Sequence, residues 1–142
     1  MGVKYNTSES SSLNSEYPKA MAVPNQYGFG GLSVHKFISA ATTNNTQIKK
    51  GGGSVYGFTF YNQGGSPVWV RLFDKASAPV NADISIMSFA IPAAANGGSV
   101  TVSLPIGISF KSGIGFNVTT GGNDGNEGAT VANEVFGTIF WK

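Results

Sequence analysis

The residues that could perform acid–base or metal chemistry are few and widely separated in this sequence. The 142-residue chain contains one histidine, His35, and no cysteine. A single histidine excludes a histidine pair as a metal site, and disulfides and thiolate sites both require cysteine. His35 alternates with hydrophobic residues in VHKFIS, which is typical of a structural histidine on a strand. We therefore expect neither a metal centre nor histidine-based catalysis.

The remaining candidates for chemistry are two carboxylates and several glycine-rich segments. Asp124 and Glu127 share the loop TGGNDGNEGA, which has the oxygen ligands and glycines of a calcium loop without EF-hand spacing. Paired acid–base carboxylates come from separate elements that flank a substrate, so we interpret this segment as a surface loop. The segments GGGSVYG and YGFGG lack the lysine and the following helix of a phosphate loop. The sequence predicts no catalytic residues, no cofactor and no enzymatic activity.

Composition favours a compact β protein and argues against two classes of partner. Charged residues make up 11% of the chain, against about 25% in typical globular domains. Aromatic residues reach 12%. The net charge of +2 is too small to indicate nucleic acid or an anionic membrane as a partner. No apolar run approaches the ~20 residues of a membrane-spanning helix, so we expect a soluble protein.

Hydrophobic residues alternate with period two from Leu32 onward, and turn residues separate the alternating segments. We expect eight or nine short strands, including a hairpin of LPIGISF and GIGFNVT, in an all-β antiparallel β-sandwich that is most simply a jelly roll. A central or interface position is expected for the last strand, EVFGTIFWK, because both of its faces are apolar. The predicted core comprises Val68, Val70, Leu72, Val100, Val102, Phe110, Ile114 and Phe116.

Residues 1–31 differ from the sandwich domain predicted for residues 32–142. This first segment is polar, contains Pro18 and Pro24, and has no sustained period. One interpretation is a disordered tail. The other, which we favour, is an extended N-terminal arm that lies along a neighbouring subunit or a shell. Its anchors would be the scattered large side chains Tyr5, Leu13, Tyr17, Met21, Tyr27 and Phe29.

Several predicted strands carry large apolar side chains on both faces, and one face of each must meet something other than the opposing sheet. The side chains on these second faces are Tyr61, Trp69, Phe73, Phe136 and Phe140. They predict an interface, and with it a homo-oligomer that is most simply a trimer. Trp69 and Tyr61 are alternatively candidates for an aromatic platform that binds sugars.

Two runs within residues 54–141 resemble small β-sandwich proteins of tailed-bacteriophage particles. The shared features are a strand that ends in Asn62, the VWVRLFDK segment from Val68 to Lys75, a turn at Pro79, and the hairpin motif from Leu104 to Ile114. The resemblance implies a non-enzymatic virion component, such as a capsid decoration or cement protein that contacts the major capsid protein or other virion proteins. The alternative is a tail- or fibre-associated module that binds a receptor or carbohydrate.

Overall fold

The strands of the domain pair in a nested order along the chain. The computed structural model describes residues 31–142; the predicted arm and its six anchors, Tyr5, Leu13, Tyr17, Met21, Tyr27 and Phe29, lie outside the described residues. A short 3-10 turn, Ala94–Asn96, precedes the sixth strand. The strands are β1 Ser33–Ile38, β2 Thr46–Lys50, β3 Gly53–Asn62, β4 Val68–Asp74, β5 Met87–Ile91, β6 Ser99–Phe110, β7 Gly113–Thr119 and β8 Val135–Trp141.

In this nested pairing, β1 pairs with β8, β2 with β7, β3 with β6 and β4 with β5, always antiparallel. Two further antiparallel pairs, β3 with β8 and β4 with β7, complete two four-stranded sheets. We call the sheet β1-β8-β3-β6 sheet A and the sheet β2-β7-β4-β5 sheet B. A chain that folds back on itself in nested pairs and divides them between two sheets is a jelly roll. The predicted β-sandwich is therefore confirmed.

The core fills the space between the sheets with aliphatic and phenylalanine side chains. Six of the predicted core residues are buried, whereas Val100 and Val102 are only partly buried, because they lie on the edge strand β6. Phe58 stacks on Phe89 of the opposing sheet, with ring centroids 4.0 Å apart. Full burial of each such side chain stabilises the fold by about 1.5–3 kcal/mol.

The predicted hairpin of LPIGISF and GIGFNVT is wrong. β6 ends at Phe110 in sheet A and β7 begins at Gly113 in sheet B, so the turn between them crosses from one sheet to the other. Asp74 of β4 closes this turn, since its carboxylate accepts hydrogen bonds from the backbone N–H groups of Lys111 and Ser112 at 3.1 and 2.6 Å. Alternation of apolar and polar residues identifies a strand with one buried face. The alternation is the same whether two consecutive strands pair as a hairpin or lie in different sheets.

Three predicted strands differ in extent from the observed ones. SVTVSLP and LPIGISF are both parts of β6, in which Ser103 pairs with Gly57 and Ile108 pairs with Val55. Four residues, 104–107, therefore stand opposite Tyr56 alone and form a wide bulge. The predicted strand ISIMSFAIP begins only at Met87, which leaves Ile84 and Ile86 in the preceding loop.

Candidate interaction surface

Two long loops cover the outer face of sheet B. Residues 75–86 follow β4 and residues 120–134 follow β7; because β4 and β7 are antiparallel, the loops start from opposite ends of the sandwich. They meet where the backbone N–H and hydroxyl of Ser85 donate to Asp124 at 2.9 and 2.7 Å, and where Asn81 donates to Glu127. The two hydrogen bonds from Ser85 lower the pKa of Asp124. The outer face of sheet B is thus largely shielded from solvent.

Arg71 lies beneath this cover and fastens the second loop to sheet B. Its side chain is 1% exposed, and its guanidinium donates to Asn117 Oδ1 at 3.1 Å and to the carbonyls of Asn123 and Asn126 at 2.7 and 2.9 Å. Burial lowers the pKa of Arg71, and the charge of Asp124 opposes that shift. The guanidinium therefore binds loop carbonyls of the kind that a calcium ion would coordinate. Within residues 31–142, no three His, Asp or Glu side chains gather as a metal site.

Two of the predicted interface residues belong to this covered face. Phe73 is 2% exposed, with the guanidinium carbon of Arg71 5.8 Å from its ring centroid. Trp69 is partly buried against the second loop, where a Cβ on Gly122 would lie 2.5 Å from its Cδ1. Phe73 therefore has almost no surface to offer a partner, and Trp69 has little.

Among residues 31–142, no segment covers the outer face of sheet A as the two loops cover sheet B. β8 lies between β1 and β3, and the strand register places Val34 beside Phe140 and Ile38 beside Phe136, which in turn pairs with Tyr61. Val34 is 60% exposed, and Ile38 and Tyr61 are about half exposed. Across the described part of the chain, the one side-chain hydrogen bond on this face joins Thr59 and Thr101, both in its own strands, at 2.9 Å. We call this face the sheet A surface; its apolar side chains are Val34, Ile38, Tyr61, Phe136 and Phe140.

A shallow depression of about 240 Å³ lies on the sheet A surface around Gly137 of β8. A Cβ on Gly137 would lie 2.2 Å from Cδ1 of the buried Phe60 ring, so glycine is required there. We call this feature the Gly137 depression. Among the described residues of its lining, which include Lys36, Thr59, Tyr61, Phe136, Gly137 and Thr138, Lys36 is the one with a charged side chain.

A second depression, of about 280 Å³, contains polar groups that already have partners. Lys75 Nζ and Asp83 Oδ2 form an ion pair at 2.5 Å, and this hydrogen bond lowers the pKa of Asp83. Asp74, also in the lining, has a lowered pKa because the backbone N–H groups of Ser112 and Lys111 donate to its carboxylate. This depression is best explained as part of the loop scaffold.

His35 packs against the core, in agreement with a structural role. Its ring meets Phe116 edge-on with centroids 5.4 Å apart, and burial lowers its pKa.

The sugar platform proposed from Trp69 and Tyr61 does not form, because Trp69 lies on sheet B and Tyr61 on sheet A. Val34, Lys36 and Ile38 were not predicted as interface residues. The alternation in VHKFI could have identified them, because it places these three residues together on one face of the strand.

No protein-family model and no curated protein sequence matches this chain. Among solved structures, it is similar to a chain of the disulfide-linked pili of Bacillus endospore appendages, with 11% identity over 78% of this chain and 82% of that one and a TM-score of 0.39. It is also similar to the coat protein of Tobacco streak virus, with 10% identity over 79% and 86% of the chains and a TM-score of 0.36.

A weaker likeness is to hydroquinone 1,2-dioxygenase from Sphingomonas sp. TTNP3, with 9% identity over 78% of this chain and 57% of that chain and a TM-score of 0.26. All three TM-scores lie below 0.5, so these likenesses carry no inference about function. No helix among residues 31–142 has both the length and the apolar character needed to cross a bilayer.

Proposed function

We propose that this protein is a non-enzymatic structural subunit that acts through contacts made by the sheet A surface. The observation that carries the proposal is the difference between the two outer faces. Two hydrogen-bonded loops shield one face, while the other presents Val34, Ile38 and Tyr61 to water. Exposed contiguous apolar surface of this kind marks sites of protein association.

The finer form of the proposal is a virion protein of a tailed bacteriophage, specifically a capsid decoration or cement protein. The sequence resemblance over residues 54–141 supports it, and the nested jelly roll is compatible with it. Its partners would be further copies of itself, as a trimer, together with the major capsid protein or other virion proteins. Residues 1–31 would serve as the extended arm along a neighbouring subunit or the shell.

Two valines with matched exposure test the role of the sheet A surface. Val34 on this surface is 60% exposed, and Val131 in the loop after β7 is 61% exposed. We expect Val34→Asp to abolish self-association in sedimentation velocity and to reduce binding to particles stripped of this protein. Val131→Asp should behave as the wild type in both assays. If neither variant differs from the wild type, the sheet A surface is not the site of association.

The position of the protein on the particle is a separate measurement. Immunogold labelling of purified virions should place it on the capsid, and labelling of the tail or fibre would favour the receptor-binding alternative instead. A glycan array provides the matching test of that alternative. Glycan binding that Tyr61→Ala abolishes would replace the cement function with carbohydrate recognition at the same surface.

A further inference from the structure

One apolar side chain protrudes from the edge of sheet A beyond all the others described. Ile106 is 93% exposed, the highest value among the large hydrophobic residues of residues 31–142. It lies in the β6 bulge, between Ser103, which pairs with Gly57, and Ile108, which pairs with Val55. Pairing on both sides fixes the two ends of the bulge to β3. Ile106 is therefore held in solvent by the strand that carries it.

The residues beside Ile106 restrict the backbone of the bulge. Pro105 has a fixed φ and no N–H to contribute to a ladder. Gly107 has a φ of +80°, and a Cβ there would lie 3.0 Å from Cε1 of Tyr56. The bulge also interrupts the open edge of β6, which prevents simple strand addition there. A rigid, exposed isoleucine at an edge that cannot pair is suited to insertion into an apolar recess.

The Gly137 depression is a recess of suitable size and character. A cavity of about 150 Å³ holds a benzene molecule, so an open depression of about 240 Å³ accommodates one isoleucine side chain. Tyr61 and Phe136 give it aromatic walls, and the lining residues from 31–142 include no carboxylate. The residues flanking Ile106 are uncharged as well, so insertion would bury no charge from the bulge.

We propose that Ile106 of one copy inserts into the Gly137 depression of a second copy, an inference that rests on the proposed function. Ile106 cannot fill its own depression, because it is fixed on edge strand β6 while Gly137 lies on β8, beyond β3. Two strand spacings amount to about 10 Å. The contact joins two different patches, so it is head-to-tail and closes into a ring when the rotation permits, as a trimer requires.

Disulfide trapping tests this contact in the 142-residue chain, which has no native cysteine. The double variant Ile106→Cys with Thr138→Cys places one thiol on the protrusion and one in the depression. Under mild oxidation we expect intermolecular disulfides and a ladder of covalent species that ends at the size of the ring. The matched control is Ile84→Cys with Thr138→Cys, since Ile84 is 79% exposed in the loop after β4. Cross-linking no faster than in this control would overturn the inference.

A second comparison separates this inference from the proposed function. We expect Ile106→Asp to raise the dissociation constant for self-association at least about tenfold, which corresponds to about 1.4 kcal/mol, while Ile84→Asp leaves it unchanged. Circular dichroism checks that both variants fold. If Val34→Asp prevents association but Ile106→Asp does not, the sheet A surface functions without Ile106 and only this inference fails. If neither does, the proposed function fails as well.

Discussion

At the scale of single residues, buried polar side chains of this protein hold loops in place. Arg71 donates from three different nitrogens to Asn117 and to the carbonyls of Asn123 and Asn126. Asn62 does the same at the turn after β3, where it bonds the carbonyls of Ser66 and Pro92. Both side chains can be buried because backbone carbonyls accept their hydrogen bonds.

Replacing Arg71 should release the loop that covers sheet B. Arg71→Met would leave Asn117 Oδ1 and two loop carbonyls without their donors, and hydrogen bonds to charged groups contribute about 1.5–3 kcal/mol each. We expect the free energy of unfolding to fall by about 2–4 kcal/mol in urea titrations. Hydrogen exchange in residues 120–130 should accelerate more than in β3. Arg71→Lys, which keeps the charge but not the planar fork, should recover only part of the loss.

The carboxylate of Asp74 should make stability depend on acidity. Its folded pKa lies below its ordinary value because backbone N–H groups of Ser112 and Lys111 donate to it. The resulting stabilisation is complete above the unfolded pKa of about 3.9 and is lost as the pH falls through the folded pKa. We expect the thermal midpoint to decline less steeply between pH 5 and pH 2.5 in Asp74→Asn than in the wild type. Equal slopes would contradict this role.

At the scale of elements, β8 is an interior strand of sheet A. It pairs with β1 on one side and β3 on the other, and its inward residues Val135 and Ile139 are fully buried. Gly137, between them, leaves room for the ring of Phe60 on its inward side. The strand can therefore pack against the core while its outward residues Phe136 and Thr138 border the Gly137 depression.

Gly137→Ala should strongly destabilise the domain. The new Cβ would lie 2.2 Å from Phe60 Cδ1, and Phe60 is buried among other core rings and cannot move freely. Overpacking of this kind typically costs about 1–3 kcal/mol, and occasionally more. Gly65→Ala is the matched control, because a Cβ at Gly65 meets nothing within 4 Å. Chemical denaturation should show a large loss of stability for the first variant and almost none for the second.

At the scale of the whole molecule, the two outer faces of the sandwich differ: two loops shield sheet B, and no segment within residues 31–142 does the same for sheet A. β1 and β6 are the edges of sheet A, and each carries a feature that discourages edge-to-edge pairing: Lys36 on β1 and the bulge with Pro105 on β6. In the proposed assembly, copies would therefore meet through side chains of the sheet A surface and through Ile106, and not through backbone pairing of strand edges.

Deleting residues 1–31 should separate folding from assembly. The nested pairs and the core involve residues from 33 onward, so we expect the shortened chain to keep its strand-rich circular dichroism spectrum and cooperative unfolding. The proposed arm would be missing, and the truncated protein should no longer incorporate into particles. Incorporation at unchanged affinity would show that residues 1–31 are not the arm.

The sequence alone determined the class of the fold and most of its core, because period-two alternation directly reports a strand with one buried face. It also determined that Val68, Val70 and Leu72 would face inward, as they do. Only the tertiary structure decided which strands pair, and therefore that Phe110 and Ile114 belong to different sheets rather than to one hairpin. Pairing joins residues far apart in the chain, and alternation carries no information about the partner. The same reason explains why the positions of Trp69 and Tyr61 were not predictable. Both lie in similar alternating segments, but Trp69 packs beneath a loop and Tyr61 is exposed on the opposite face of the sandwich.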